Sequence, residues 1–266
     1  RRNGNLEKAS WKDAYNVISE NLKSIKKKHG ADSISLISSG RCTNEENYLM
    51  QKFARTVIGT NNIDQSETEC HAPTLHALRD TLGLGTTTNS IEEISKSDVI
   101  FVIGANVTES HPIIGLEIKK ALRNGKTLIV ADTRKIWLAK KAQTFLNLQP
   151  GTDTSLINAI IDVIIKDKLH DEKFIEKRTE NYKTVKSSIA KNNIKKTAKL
   201  TGISQDAIEE AARTYANAEN AIILYGNGIT QHRSGNDNVK SLVNLALLTG
   251  NIGKECSGIY PLMGQN

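Results

Sequence analysis

The chain predicts an α/β fold: one doubly wound parallel sheet, preceded by part of a second α/β unit. Three observations carry this. Five-residue apolar runs at 99–103 (VIFVI), 127–131 (TLIVA) and 221–225 (AIILY) have strand length and no polar alternation, as strands covered on both faces require. A helical pattern of apolar residues follows each run, and strands alternating with helices imply parallel pairing through right-handed crossovers. Residues 1–68 supply a single strand–helix step, too little for a domain. The division expected is therefore a partial α/β unit over 1–68 and a Rossmann-like, dinucleotide-type domain over 69–266.

The elements follow in order. Residues 11–28 place Trp11, Ala14, Tyr15, Val17, Ile18, Leu22 and Ile25 on one helical face, with Ser10 as N-cap and Asp13 where a capping box has Glu. Residues 34–37 read as a short strand, 38–41 as a turn and 44–58 as a second helix. Pro73 predicts a turn at 67–75 (ETECHAPTL) that presents Cys70 and His71. After the strand at 99–103, a helix over 113–124 is stopped by Gly125, and the strand at 127–131 ends on Asp132. Residues 135–144 read as a helix, 145–148 as a short strand and 153–167 as a long helix. Residues 173–197 and 204–217 read as helices, with the polar stretch 166–201 as a surface insert. The strand at 221–225 leads to a helix over 237–249, closed by Gly250.

Composition excludes several classes. The 266 residues carry a net charge of +7, but the basic runs at 23–29 and 191–196 read as solvated helix faces, and aromatics are only 5%. No nucleic-acid partner is expected, since a binding stripe needs stacking rings beside its charge. Three dispersed cysteines make neither a disulfide framework nor a Cys-rich cluster site, which suits a reducing, cytoplasmic setting. No apolar stretch approaches the roughly 20 residues of a membrane span, and no secretory segment opens the chain. The chain starts without Met and stops inside the motif at 263–266 (MGQN), so it reads as a fragment.

Ligands of open α/β sheets collect beyond the carboxyl ends of the strands. That rule nominates residues 104–110 (GANVTES), 132–134 (DTR), 150–153 (PGTD) and 226–231 (GNGITQ). Asn106, Thr108, Glu109 and Ser110 offer polar groups to a pyrophosphate or ribose. Asp132 and Asp153 are acceptors, and Arg134 suits a phosphate. Gly151, Gly226 and Gly228 let backbone approach an anion closely. Gln231 and Gln265 complete the set. Taken singly these are ordinary loop residues, because Gly226 and Gly228 are only part of a dinucleotide fingerprint. Cys70 beside His71 has the residue types of thiolate chemistry, although a Cys-His pair alone is more often packing plus a surface histidine.

Several motifs share an order with one family. They are residues 43–55 (TNEENYLMQKFAR), 58–64 (IGTNNID), 110–112 (SHP), 132–135 (DTRK), 150–153 (PGTD), 228–232 (GITQH) and 247–253 (LLTGNIG). Over residues 10–266 the chain resembles the catalytic large subunit of molybdenum or tungsten formate dehydrogenases, among the molybdopterin-guanine-dinucleotide oxidoreductases. The resemblance implies a bis-molybdopterin guanine dinucleotide cofactor with Mo or W, and formate or a similar small substrate. It further implies an electron-transfer subunit or protein as partner, and a [4Fe-4S] cluster held by a segment absent from this chain. Cys70 becomes the metal ligand, a soft thiolate suiting Mo or W. His71 becomes the proton acceptor or, alternatively, a histidine that orients Cys70. Asp132 and Asp153 suit guanine N1 and N2 or ribose hydroxyls. His111 reads as structural, and Cys42 and Cys256 as packing thiols.

Two departures bear on the substrate. Met263 stands where formate-oxidising relatives carry an Arg taken to clamp the carboxylate, and a thioether cannot make that bidentate bond. Glu67 and Glu69 add anions just before Cys70. Three readings follow: a formate dehydrogenase fragment, inactive when isolated; a same-cofactor oxidoreductase for another small substrate; or a truncated, non-catalytic cofactor-binding module.

Overall fold

The structure, a computed structural model, describes residue 4 and residues 6–264. The chain divides into two compact units, a first ending at Thr68 and a second spanning Glu69–Gly264.

In the first unit, α1 (Trp11–His29) starts at a capping box: Ser10 Oγ accepts the Asp13 N–H and the Asp13 carboxylate accepts the Ser10 N–H. The shorter acid therefore does what Glu does in the usual box. No residue of α1 is buried; Trp11 is 76% exposed and Tyr15 62%. The predicted apolar face is thus present in the sequence but uncovered in this unit. Strand β1 (Leu36–Ser38) pairs in parallel with β2 (Ile63–Gln65), a strand the sequence did not announce, with Leu36 opposite Ile63. Between them α2 (Asn44–Lys52) begins at a Thr43–Glu46 capping box and continues as a π-turn, Phe53–Ile58, closed by Gly59 at φ +83°. Cys42 is exposed, which corrects its reading as a packing thiol.

The segment around Cys70 is not a turn. It lies in α3 (Glu67–Leu82), with Pro73 inside the helix. Proline removes one N–H and its ring disfavours helix interiors. Here the downstream residues override it, since Ala77 and Leu78 are completely buried in the main core.

The second unit is built on a five-stranded, all-parallel sheet of order β5-β4-β3-β6-β7. After α4 (Ile91–Ile94), β3 (Val99–Ile103) is buried at every residue. Next come α5 (Val107–Ser110), α6 (Pro112–Arg123), β4 (Thr127–Ala131) and β5 (Thr144–Leu146). The helix expected over 135–144 is absent, replaced by a turn with a short 3₁₀ segment, Leu138–Lys140. Ile136, Leu138 and Ala139 all bury their side chains against one sheet face, which an irregular path achieves and a helix of that length does not need to. Helix α7 (Asp153–Lys166) matches its pattern. The single helix expected over 173–197 is instead α8 (Glu172–Arg178), α9 (Tyr182–Ile189) and α10 (Ile194–Thr201). The breaks fall at Asn181, with φ +60°, and at the N-cap Asn193, whose side chain accepts the Lys196 N–H.

Helix α11 (Gln205–Ala216) precedes β6 (Ala221–Tyr225), α12 (Asn227–Thr230), α13 (Gly235–Leu248) and β7 (Gly258–Pro261). The sheet alternates its sides as a pleat must. Phe101, Ile103, Ile129, Ile223 and Tyr225 face α7, α11 and α13, whereas Ile100, Val102, Leu128, Val130 and Leu224 face α6. Among the described residues no helix is long and apolar enough to cross a membrane.

Candidate functional site

Strand order places a topological switch between β3 and β6. The chain leaves β3 toward β4 on one side, and β6 toward β7 on the other. Loops beyond the carboxyl ends of two such strands part to either side and leave a crevice, the usual ligand position in open sheets. The residues nominated from the sequence meet here in part.

The β3 and β6 loops touch backbone to backbone. Gly228 N–H donates to Gly104 O at 2.9 Å. A Cβ on Gly228 would stand 2.7 Å from both Cα and O of Gly104, and one on Gly104 would stand 2.9 Å from the Gly228 carbonyl carbon. Gly104 also has φ +61°, in the left-handed region. A Cβ on Gly226 would meet the Ala105 side chain at 3.0 Å. These glycines are thus required first by the approach of two loops.

Cys70 is joined to the same β6 loop. Its Sγ donates to Asn227 Oδ1 at 3.2 Å, and Thr230 Oγ1 donates to the Cys70 carbonyl at 2.6 Å. The thiol is nearly buried, at 7% exposure. His71 is completely buried, and its Nδ1 lies 3.1 Å from Thr74 Oγ1. Thr74 Oγ1 also accepts from the Tyr225 hydroxyl at 3.0 Å. Neighbours in sequence, the two side chains serve different surroundings.

A second cluster lies beyond β4 and β5. Asp132 is buried, and its Oδ1 accepts the Arg134 N–H at 2.8 Å. The Arg134 side chain is 69% exposed, with Nε 3.8 Å from the same oxygen. Asp153 opens α7 and is also buried. Burial pushes its carboxyl above the usual range and the negative charge of Asp132 adds to this, while its own backbone N–H and the His232 ring oppose.

Beyond β3, Asn106 precedes the one-turn α5 and does not sit in an open loop. Thr108 Oγ1 donates to Asn106 Oδ1 at 3.3 Å, and Ser110 Oγ to Asn106 O at 3.1 Å. His111 has Nδ1 2.8 Å from Ser110 Oγ and Nε2 3.3 Å from the Met263 carbonyl. Glu109, Gly151 and Gln231 are exposed, and among the described residues no hydrogen bond joins the Glu109 or Gln231 side chain to the rest of the site. Gln265 lies outside the described residues.

Sequence reasoning did not single out Thr74, Tyr225, Asn227, Thr230 or Asn238. Asn238 Nδ2 donates to Ile229 O at 2.9 Å and its Oδ1 accepts from Thr154, tying the β6 loop to α7. Thr74, Asn227 and Thr230 lay inside motifs already noted, so their nomination was within reach; nothing local marked Tyr225. Among the described residues no three His, Cys, Asp or Glu side chains group as a metal site. A groove of about 630 Å³ lined by His170, Glu172 and Tyr182 belongs to the α8–α9 region and includes none of the nominated residues.

Comparison with known proteins matches residues 1–264 to the molybdopterin oxidoreductase family. The chain is 44% identical over its full length to F420-dependent formate dehydrogenase 2 subunit alpha of Methanococcus maripaludis, covering 39% of that protein. It is 43% identical to formate dehydrogenase H of Escherichia coli, again over the full chain and 37% of the relative. Acetylene hydratase from Pelobacter acetylenicus shares the fold over 92% of the chain and 33% of its own, with a TM-score of 0.73 and 26% identity. The chain thus spans about two fifths of the length of the curated relatives it matches.

Proposed function

Because the chain belongs to the molybdopterin oxidoreductase family, we propose that it is the cofactor-cradling part of a formate dehydrogenase-type catalytic subunit. The overall reaction would take formate to carbon dioxide, a proton and two electrons. The observation that carries this reading is the attachment of Cys70 to the β6 loop, through Asn227 and Thr230, at the switch point of the sheet.

The family implies a molybdopterin cofactor with Mo or W, and the residues present fit one in its guanine dinucleotide form. Asp132 and Asp153 are buried acceptors, and the Asp153 carboxyl, raised by burial, is suited to N–H donors such as a guanine edge offers. The β6 loop is exposed at Asn227 and Gly228, as the approach of a ligand needs. Cys70 would supply the protein's thiolate to the metal, with the remaining ligands coming from the pterin. When bound, the group would supply the two-electron redox chemistry. The chain's own residues would hold it: Thr230 fixes the Cys70 backbone, Asn227 Oδ1 orients the Cys70 side chain by accepting the hydrogen bond of the protonated thiol, and the glycines keep the two loops in register. Complete burial of His71 favours the second of its two sequence readings, in which it positions the Cys70 segment. An iron–sulfur cluster and an electron-accepting partner would belong to other parts of the protein.

The test is formate-dependent dye reduction by the full-length, metal-loaded subunit. Wild type should turn over, and Cys70→Ser should retain pterin yet lose most turnover, because an alkoxide or water replaces a soft ligand. Unchanged turnover in Cys70→Ser would remove Cys70 from the chemistry. Met263 favours a second reading, a different small substrate with the same cofactor. Under that reading wild type fails with formate, and Met263→Arg raises formate activity.

A further inference from the structure

One stretch of the surface is charged far out of proportion to its length. Residues 182–201 hold six lysines and no Asp, Glu, Arg or His, so they account for six of the seven net positive charges of the chain. The basic run at 191–196 is only part of this feature. The stretch folds as α9 and α10, which both pack on α7. Val185, Ile189, Ile194 and Ala198 turn inward to the main core, whereas Lys183, Lys186, Lys191, Lys195, Lys196 and Lys199 are all exposed. We propose that this lysine face is the docking surface for an acidic protein partner, a surface rich in Asp and Glu carboxylates on a different chain.

The charges are arranged against the stability of the helices that carry them. Lys183 lies in the first turn of α9, and Lys195 and Lys196 in the first turn of α10, where the helix dipole disfavours a cation; neither turn has an acid. Lys183 and Lys186 stand three positions apart, and Lys195 and Lys199 four, spacings at which like charges repel on a helix. Elsewhere cations find carboxylates: Lys126 lies 2.7 Å from Asp98, Lys166 2.6 Å from Asp162 and Lys240 2.9 Å from Asp80. Among the described residues none of the six lysines does so. Local rules broken together, with no compensating gain inside the chain, are the mark of a functional surface.

Charge complementarity sets the chemistry of the partner. A second copy does not fit, because no other stretch of this length carries an opposite excess of that size. A nucleic acid is disfavoured: the stretch has no Arg, and its one ring, Tyr182, packs against the core with Lys186 Nζ 5.9 Å from the ring centroid, whereas base stacking needs a free ring. A lipid surface is disfavoured as well. Among the described residues Leu200, 55% exposed, is the one large apolar side chain the stretch shows to solvent, while an interfacial helix turns its apolar face outward. What the face offers is ammonium and hydroxyl donors. Lys183, Thr184, Ser187, Ser188 and Lys191 line a notch of about 440 Å³, with room for carboxylate side chains to enter. Lysines are mobile point charges, suited to attracting and steering an acidic surface.

The experiment is stopped-flow binding of a fluorescein-labelled polyglutamate peptide to the 266-residue chain, at low and at physiological salt. Wild type should bind with an association rate that falls steeply as salt rises. The triple variant Lys183→Gln, Lys186→Gln, Lys191→Gln should slow association by on the order of tenfold at low salt, with a smaller change in dissociation. All three side chains are exposed, so its circular dichroism should match wild type. Arg at the same three positions keeps the charge and should keep the rate. Lys23→Gln, Lys27→Gln, Lys28→Gln, on α1, should stay within about twofold of wild type, because charges outside the docking face act only through a screened field. Absent or salt-independent binding, or equal slowing in the two Gln variants, would overturn the proposal. So would tighter binding of a single-stranded oligonucleotide of equal charge, or of phosphatidylserine vesicles, than of the peptide. None of these outcomes touches the Cys70→Ser prediction, so the two readings fail separately.

Discussion

Gly228→Ala tests the geometry on which the site depends. The new Cβ would stand 2.7 Å from Gly104 Cα and from Gly104 O, where ordinary contact begins at 3.4 Å. The overlap is about 0.7 Å and lies against backbone on both atoms, so no side-chain rotation relieves it. The β3 and β6 loops must separate, which also stretches the 2.9 Å bond from Gly228 N–H to Gly104 O. Overpacking costs about 1–3 kcal/mol and a weakened hydrogen bond about 0.5–1.5, giving a loss of roughly 2–4 kcal/mol. For a domain of this size each kcal/mol is worth about 2–4 °C, so the melting temperature should fall by roughly 4–16 °C. Urea unfolding with unchanged slope gives the free energy directly. Gly264→Ala is the control, since among the described residues nothing lies within 4 Å of its Cβ, and it should stay within about 0.5 kcal/mol of wild type. A Gly228→Ala chain equal to that control would mean the loops do not touch in solution, and the site as drawn would be wrong.

Asp153→Asn should stabilise the cofactor-free chain at neutral pH. The folded carboxyl lies above its ordinary 3.8, chiefly through burial. The contribution of Asp153 is therefore fully present below 3.8 and declines as pH rises toward the folded value, so the difference between the two melting curves should close in acid. Glu93 is the opposite case. The Ser90 N–H, then the Cys256 N–H, hold its carboxyl below the ordinary 4.5. Its contribution is present above 4.5 and lost as pH falls through the folded value; Glu93→Gln, costing about 1 kcal/mol at neutral pH, should flatten that limb of the stability profile. Hydrogen exchange by mass spectrometry should find α1 amides opening at about 0–2 kcal/mol while β3 and β6 amides approach the global value, because an unburied helix has only its own propensity. Equal protection in α1 and β3 would show that its apolar face is covered in solution.

The sheet was legible where burial is symmetrical. β3, β4 and β6 fall on the residues the apolar runs marked, since a strand covered on both faces has no competing polar pattern. β7 was missed because Gly258 and Pro261 look locally like breakers. Its place is set by register against β6, Ile222 opposite Gly258, and by Thr88 Oγ1 accepting the Ile259 N–H at 2.8 Å. Residues 135–144 misled in the other direction. Ile136, Leu138, Ala139 and Ala142 have spacings a helix tolerates, but Trp137 lies at the surface with Lys119 Nζ 4.7 Å over its ring. The family was readable from several motifs in a shared order, and the strand-end loops because a ligand rule for open sheets needs only strand positions. The pairing of Cys70 with that loop was not. Asn227 and Thr230 stand 157 and 160 positions away from their partner, and no local pattern encodes such an approach.

The largest correction, a helix where a turn was expected, changes the chemistry assigned to the Cys-His pair. In a turn, adjacent side chains can be presented to one ligand together. In a helix, successive side chains diverge by about 100° around the axis. Cys70 in α3 is directed to Asn227 on the β6 loop, and His71, one position on, is directed to Thr74 and through it to Tyr225. Both contacts end on β6 and the loop that follows it, at Tyr225 and at Asn227, so the helix is held to one strand end by two neighbouring residues with different environments. The division is therefore set by helical geometry: Cys70 reaches the β6 loop at Asn227, and His71 reaches the buried hydroxyls of Thr74 and Tyr225.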